Sequence, residues 1–352
     1  MVTAEERRWR QERTRLNRRR AELGDAADKL YPGAPRVGST ALLCRPEWIP
    51  ADPLPLESVR LLWDEDPTPP AVTGAEAVLP DGYRTYSEAM GALAAPAVFE
   101  NRPSYRLLAA DLTGHGTARD SHGDLRAGGP MLRLAGACYF EGVDVGEAVA
   151  HELAAEAEGL PLRTLVGDPC ELARRAALPA ITTVTIRRRA RDFVLHWRDP
   201  AKVVHAGGLH QVMPVGVFQP VTGDHADDLN LWRCMAREFS EEFLGTGEEY
   251  GPGFSYEDWP FFRRLEAARR AGTVRVHCLG LGTDPLTLAV DVLTAVVIDD
   301  EVFEDLFGGL VRVNTEGRVT MAPFDGRTPR PMQPAGAAAL ELAWRHRNAL
   351  LD

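Results

Sequence analysis

The stretch "MPVGVFQP" (Met213–Pro220), followed after a loop by "AREFSEEFLG" (Ala236–Gly245), decides the reading of the fold. Leu229, Trp232, Ala236, Phe239 and Phe243 recur at spacings near three and four, which predicts a helix with one buried apolar stripe. Asp227 or Asp228 is the expected N-cap. Beside the stripe, Glu238, Glu241 and Glu242 stand at i, i+3 and i+4 and share one helix face. Like charges so placed repel by roughly 0.2–0.5 kcal/mol per pair. Either the face is solvated, or the carboxylates are gathered to hold a hard divalent cation, which would reverse the sign of that term. Arg237 precedes them and can orient a glutamate by a bidentate pair.

Composition bounds the alternatives. A chain of 352 residues suggests two domains of ordinary size, and 45% hydrophobic with 26% charged residues is the balance of a soluble globular protein. No apolar run is long enough to predict a transmembrane helix. The start, "MVTAEERRWRQERTRLNRRR", is basic without an apolar core and does not read as a secretory signal. Cys44, Cys138, Cys170, Cys234 and Cys278 are scattered, form no CxxC pair, and indicate neither a disulfide framework nor a zinc site. A cytoplasmic protein with reduced thiols is the expectation. The net charge of −11 disfavours nucleic acid as a partner, because that affinity depends on neutralising phosphates. Lys29 and Lys202 are the only lysines, so arginine runs such as Arg187-Arg188-Arg189 reflect compositional bias as much as any phosphate site.

Residues 4–30 read as one helix rich in Arg and Glu, with Trp9, Leu16, Leu23 and Leu30 seven apart. A stripe that narrow must dock, on its own domain or on a second subunit, and a homodimer through this helix is one expectation. "YPGAPRVG" then breaks the helix, and residues 41–100 are Pro-rich with few periodic signals. "SYRLLAADL" and "PMLRLAGACYF" read as strands, and "DVGEAVAHELAAEAEG" as an amphipathic helix closed by Gly159. "ITTVTIRRR", "DFVLHWRD", "LHQVMPVGVFQP", "TVRVHCLGLG" and "LTLAVDVLTAVVID" read as further strands, and "PAGAAALELAWRHRNALL" as a terminal helix. "AHELAAEAEG" (Ala150–Gly159) aligns with "AREFSEEFLG" without a gap, and each follows a strand with a Gly–apolar–aromatic stretch. That pattern predicts one strand–loop–helix unit used twice.

The order strand, loop, "REFSEE" resembles the Nudix box, whose core Arg237, Glu238, Phe239, Glu241 and Glu242 match. "MPVGVFQP" resembles the lead-in of that box, with Gly216 at its second glycine, and the likeness covers roughly residues 180–352. On this alignment "VTGDHADD" is an insertion before the helix. If Gly223 is the box glycine instead, the spacing to Arg237 fits but Leu229 stands where a glutamate belongs. Gly216 has the better strand context. Gly245 falls one residue later than in the pattern. The first helix would then be a degenerate copy, with Glu152 and Glu156 matching Glu238 and Glu242, Ala155 in place of Glu241, and His151 in place of Arg237 as a structural residue.

The resemblance implies an α+β fold of α/β/α sandwich type, a mixed sheet flanked by helices, present twice and preceded by a helix. It divides the chain into 1–40 (helix and linker), 41–165 (degenerate Nudix-like or other α+β domain) and 166–352 (Nudix-like domain). It also implies hydrolysis of a pyrophosphate bond in a nucleoside diphosphate derivative, with Mg²⁺ or Mn²⁺ held by Glu238, Glu241, Glu242 and the Gly216 carbonyl. Glu241, Glu242 and Arg237 are then the candidate catalytic residues. A general base would come from outside the box; Asp299, Asp300 and Glu301 are candidates, although that group also reads as a helix cap, and Asp291 is a carboxylate in an apolar strand that needs a reason. Trp259 and Phe261 in "FSYEDWPFF", similar to an element of NADH-acting Nudix enzymes, would stack on a base or anchor a surface loop. Arg187 and Arg189 would contact phosphate or stand in solvent. The alternative is a catalytically weak sensor of a nucleotide-like ligand, or a transcription-related regulatory protein, although no helix-turn-helix reader is recognisable. On either reading the partner is a nucleotide-derived small molecule, with no membrane involved.

Overall fold

A strand buried along its whole length needs both faces of its sheet covered, and "VDVLTAVVI" meets that condition, because every residue of Val290–Ile298 is buried. It lies at the centre of a computed structural model that describes residues 2–352 except 97, 115–116, 120–124, 199–207, 222–224, 226–227, 248–249, 251–252 and 312–316, with side chains described outside 115–127. The strands are β1 (Leu54–Pro55), β2 (Arg60–Trp63), β3 (Pro103–Asp111), β4 (Thr117–Arg119), β5 (Leu125–Ala127), β6 (Met131–Cys138), β7 (Pro179–Arg187), β8 (Asp192–Arg198), β9 (His210–Val212), β10 (Val215–Val217), β11 (Val274–Thr283), β12 (Val290–Ile298) and β13 (Gly317–Pro323). The helices are α1 (Ala4–Arg18), α2 (Arg20–Asp28), α3 (Tyr86–Leu93), α4 (Tyr139–Ala154), α5 (Pro161–Val166), α6 (Leu231–Leu244), α7 (Pro260–Arg270), α8 (Asp300–Phe307), α9 (Pro334–Arg345) and α10 (Arg347–Leu351).

The main sheet has eight strands, in the order β1-β11-β12-β7-β8-β13, with β10 paired to β7 and β9 paired to β8. β12 runs parallel to β7 from Val290 opposite Pro179 to Ile298 opposite Arg187, and the other pairings are antiparallel. The sheet is therefore mixed, as expected. Helices α6 and α7 touch β10 and β11, and α9 lies against β7, β9, β11 and β12. A smaller sheet sets β6 between β2, parallel, and β3, antiparallel. Among the described residues no helix is long and apolar enough to cross a membrane.

The single strand expected over 209–220 is two. The chain turns at Met213–Pro214, and β9 pairs with β8 while β10 pairs with β7. The N-terminal helix breaks at Arg19 into α1 and α2, and its stripe is used within the chain. Trp9, Leu16 and Leu23 are buried, and α1 and α2 both pack on α4, leaving only Leu30 of the four exposed. The reason for expecting a dimer through that helix is thereby removed. Residues from both sides of the expected 165/166 boundary share the largest core, where Leu42, Tyr105 and Leu134 join Ile181 and Val292.

Helix α4 starts at Tyr139, immediately after β6 and earlier than expected, and stops at Ala154 rather than at Gly159. Glu156, with φ of 55°, has already left the helix. α4 packs mainly on α1, α2, α3 and α5, and touches β6, the strand it directly follows. Residues 150–159 thus do not lie on a sheet in the way that α6 lies on β10, and the fold lends the duplication no support.

Candidate functional site

β10 and α6 meet back to face. Gly216 stands opposite Ile181 in the ladder, and a Cβ added to it would fall on the carboxyl group of Glu238. Any larger residue would displace that carboxylate, so the glycine here serves close approach rather than φ. Glu242 turns to the same strand, where its Oε2 accepts the Val215 N–H at 3.1 Å. Glu241 lies near Tyr250, whose phenol is pushed up in pKa by burial first and then by the Glu241 charge. The helix is held by its apolar stripe. Phe239 stacks on Phe307 with ring centroids 5.2 Å apart, and Phe243 meets Phe307 edge-on at 5.0 Å.

Both helix ends differ from expectation in an instructive way. Asn230, not Asp227 or Asp228, is the N-cap, its side chain accepting the Arg233 N–H at 3.0 Å. Gly245 is the left-handed C-cap with φ of 68°, its N–H reaching Glu241 O at 3.0 Å, while the Thr246 N–H reaches Ser240 O at 3.3 Å. The glycine that looked displaced by one residue ends a complete last turn.

Asp228 is freed for another task. It is 1% exposed, its Oδ2 accepts the Val221 N–H at 2.9 Å, and its Oδ1 accepts the Tyr256 hydroxyl at 2.8 Å. The same Oδ1 lies 3.6 Å from Arg237 Nη1. Arg237, 2% exposed, also donates from Nη2 to the Gln219 carbonyl at 2.7 Å and from Nη1 to the Tyr256 hydroxyl. Burial opposes the guanidinium charge, and the surrounding groups, with Asp228 and Glu238 among them, more than offset that, so its pKa is raised. A carboxylate partner for Arg237 therefore exists, contributed one residue before Leu229, the position at which the sequence showed none. Gly223 and most of the inserted "VTGDHADD" lie outside the described residues.

The remaining sequence candidates are placed elsewhere. Trp259 and Phe261 sit inside an aromatic cluster with Tyr250, Phe254, Tyr256 and Phe262 and pack against the core, so "FSYEDWPFF" acts as an anchor. Arg187 is committed to Asp192 and Glu304 and lies over Phe303. It stands six residues beyond Ile181 on β7, or about 20 Å from Gly216 along the strand. At that same far end the Asp300 carboxylate accepts the Arg189 and Ala190 backbone N–H groups, Asp299 lies 3.6 Å from Arg188, and the exposed Arg189 and Glu301 side chains approach to 4.0 Å. The expected bases are thus at the opposite end of the sheet from the α6 carboxylates. Asp291 is at the near end, opposite Ala180, but alternation turns it to the other face of the sheet. There it accepts the Thr182 hydroxyl at 2.7 Å, and burial raises its pKa to about 7.

In the first half, His151 is structural. It stacks on Trp9 at 4.8 Å, its Nδ1 is 3.0 Å from the Tyr86 hydroxyl, and burial followed by the Arg13 charge lowers its pKa to about 4. Glu152 caps α5 by accepting the Leu162 and Arg163 N–H groups, and Glu156 pairs with Arg15. Among the described residues, no three His, Cys, Asp or Glu side chains converge as a ready metal cluster, in this half or at α6. No known family matches the chain, and no curated protein matches it.

Proposed function

We propose that β10 and α6 form the cation site of a Nudix-type hydrolase that cleaves a pyrophosphate bond in a nucleoside diphosphate derivative. The observation that carries this reading is the seat of the Glu238 carboxylate on the bare backbone of Gly216. With Glu242 directed to the adjacent Val215 N–H, two α6 carboxylates and a strand backbone face each other. All-oxygen donors of this kind suit Mg²⁺ or Mn²⁺. Glu238, Glu242 and the Gly216 carbonyl would hold the ion, with Glu241 joining on leaving the neighbourhood of Tyr250. When bound, the cation would neutralise the pyrophosphate and lower the pKa of a water. Arg237 is a positioning residue, tying α6 to the Gln219 carbonyl and so fixing the helix against the strand that carries Gly216.

A second reading, a ligand sensor with the same fold, is favoured by Tyr250 beside Glu241 and by the distance of Asp299, Asp300 and Glu301 from α6. The two separate by experiment. With Mg²⁺ or Mn²⁺ and a panel of ADP-ribose, NADH, nucleoside triphosphates and nucleotide sugars, Glu241→Gln and Glu242→Gln should each lower turnover at least a hundredfold. Tight ligand binding without turnover, indifferent to both substitutions, would overturn the hydrolase and leave the sensor. Gly216→Ala tests the site without substrate. The atoms it displaces are the flexible end of Glu238, so stability should change little while Mn²⁺ affinity, read by titration, falls at least tenfold. Unchanged affinity would place the ion elsewhere.

A further inference from the structure

A cleft of about 800 Å³ opens on the sheet face turned away from Glu238, between the N-terminal helices and the start of α9. That volume suits a small molecule. Its wall carries α4, whose Gly146 lets the helix come close, since a Cβ there would lie 2.6 Å from the Thr287 carbonyl. Its floor includes Val217 and Asp291 of the main sheet, and Gln211 lies to one side.

Arg175 also lines this cleft and is only 2% exposed. Its Nη2 donates to the Leu288 carbonyl at 2.6 Å, whereas Nη1 is buried with no hydrogen-bond partner among the described residues. The charge-assisted contacts given to Arg13 and Arg237 are not repeated here, and burial pushes the Arg175 pKa down to about 10. A buried guanidinium with an unpartnered N–H and no ion pair among the described residues is costly, and an anion in the cleft would complete it. Asp291 lines the same cleft, its Oδ1 accepting the Thr182 hydroxyl. Burial raises its pKa to about 7, and its protonated form can donate to an anion.

We propose that this cleft binds a small organic anion, its carboxylate or phosphate held by Arg175 and a neighbouring heteroatom met by Asp291 and Gln211. The site is separate from α6 and does not rest on the hydrolase reading.

Titrating the full chain with benzoate, phenyl phosphate and neutral benzamide, followed by amide NMR shifts, tests it. At least one anion should bind ten times more tightly than benzamide and move the amides of Leu288, Val290 and Asp291. Preference between benzoate and phenyl phosphate distinguishes a carboxylate from a phosphate ligand. Arg175→Met should abolish the preference over benzamide, Arg175→Lys should keep part of it, and Glu241→Gln should leave it intact. Equal binding of the anions and benzamide, or shifts confined to Val215, Gly216 and α6, would overturn the proposal. The shift map on the unaltered chain decides the matter even if the Arg175 variants fail to fold.

Discussion

Glu147→Ala is expected to cost about 3–5 kcal/mol of folding stability, the usual consequence of removing one member of a buried ionic cluster. Glu147 on α4 is 7% exposed and faces Arg13 of α1, 1% exposed, and Arg20 of α2, 8% exposed. Arg13 forms an ion pair with its Oε2, and Arg20 Nη2 lies 2.9 Å from the same atom and 3.1 Å from Oε1. Burial works against the Arg13 charge, and Glu147 more than compensates, which is why the Arg13 pKa is raised. Without the carboxylate, two buried guanidinium groups lose their shared acid, although Arg13 keeps the Tyr86 hydroxyl at 3.3 Å. Such a loss is a large share of a total stability of about 5–15 kcal/mol. Urea unfolding of Glu147→Ala measures it, and a loss under about 1 kcal/mol would mean that water already compensates the arginines. Replacing all three with apolar residues of similar volume, Arg13→Met, Arg20→Met and Glu147→Leu, should recover most of the loss, because the charges must be buried together or not at all.

That cluster marks what the sequence could and could not reveal. Trp9, Leu16 and Leu23 announce a stripe by their spacing, and the stripe docks. Arg13 and Arg20 are also seven apart, three residues before Leu16 and Leu23, on the side of α1 and α2 that enters the interior. Nothing in the residue type distinguishes them from the solvated arginines around them, and their acid lies more than a hundred positions away on α4. The same limit hid the role of Asp228. Fixed spacing from Gly223 led to Leu229, whereas the structure needs only a carboxylate that reaches Arg237, and the backbone before α6 delivers the preceding residue. Periodicity was a better guide where one face simply had to be buried. β7, β8, β11 and β12 form where alternation or unbroken β-branched runs require them, and α6 forms along its three-and-four stripe. β1 and β2 escaped notice because short strands in a Pro-rich segment are specified by their partners, Cys278 and His277 for β1 and the Met131–Leu134 stretch for β2.

The pair Asp228 and Arg237 carries the other large expectation. Asp228→Ala should destabilise the chain by about 3–5 kcal/mol, since it takes from the Arg237 cation, 2% exposed, its buried carboxylate and leaves it the Gln219 carbonyl, the Tyr256 hydroxyl and the more distant Glu238 charge. Arg237→Met should cost somewhat less, about 2–4 kcal/mol, because the Asp228 carboxylate would retain the Val221 N–H and the Tyr256 hydroxyl. If the two act as one unit, the double variant should cost at least about 1.5 kcal/mol less than the sum of the single losses. Additive losses would show that each residue is held by its hydrogen bonds alone. Arg237→Lys separates geometry from charge, since an ammonium on a flexible stem cannot span the Gln219 carbonyl and the Tyr256 hydroxyl as the planar guanidinium does. It should therefore fail to restore stability although its charge is intact. The same variants bear on the cation site. Arg237 adjoins Glu238, and Gln219 lies just beyond the strand that carries Gly216, so loosening this pair loosens the contact on which Mn²⁺ affinity would depend. Folded Asp228→Asn, which keeps the shape and removes the charge, should thus lose Mn²⁺ affinity severalfold at a temperature where it remains native. An unchanged affinity would make the pair a device for folding only.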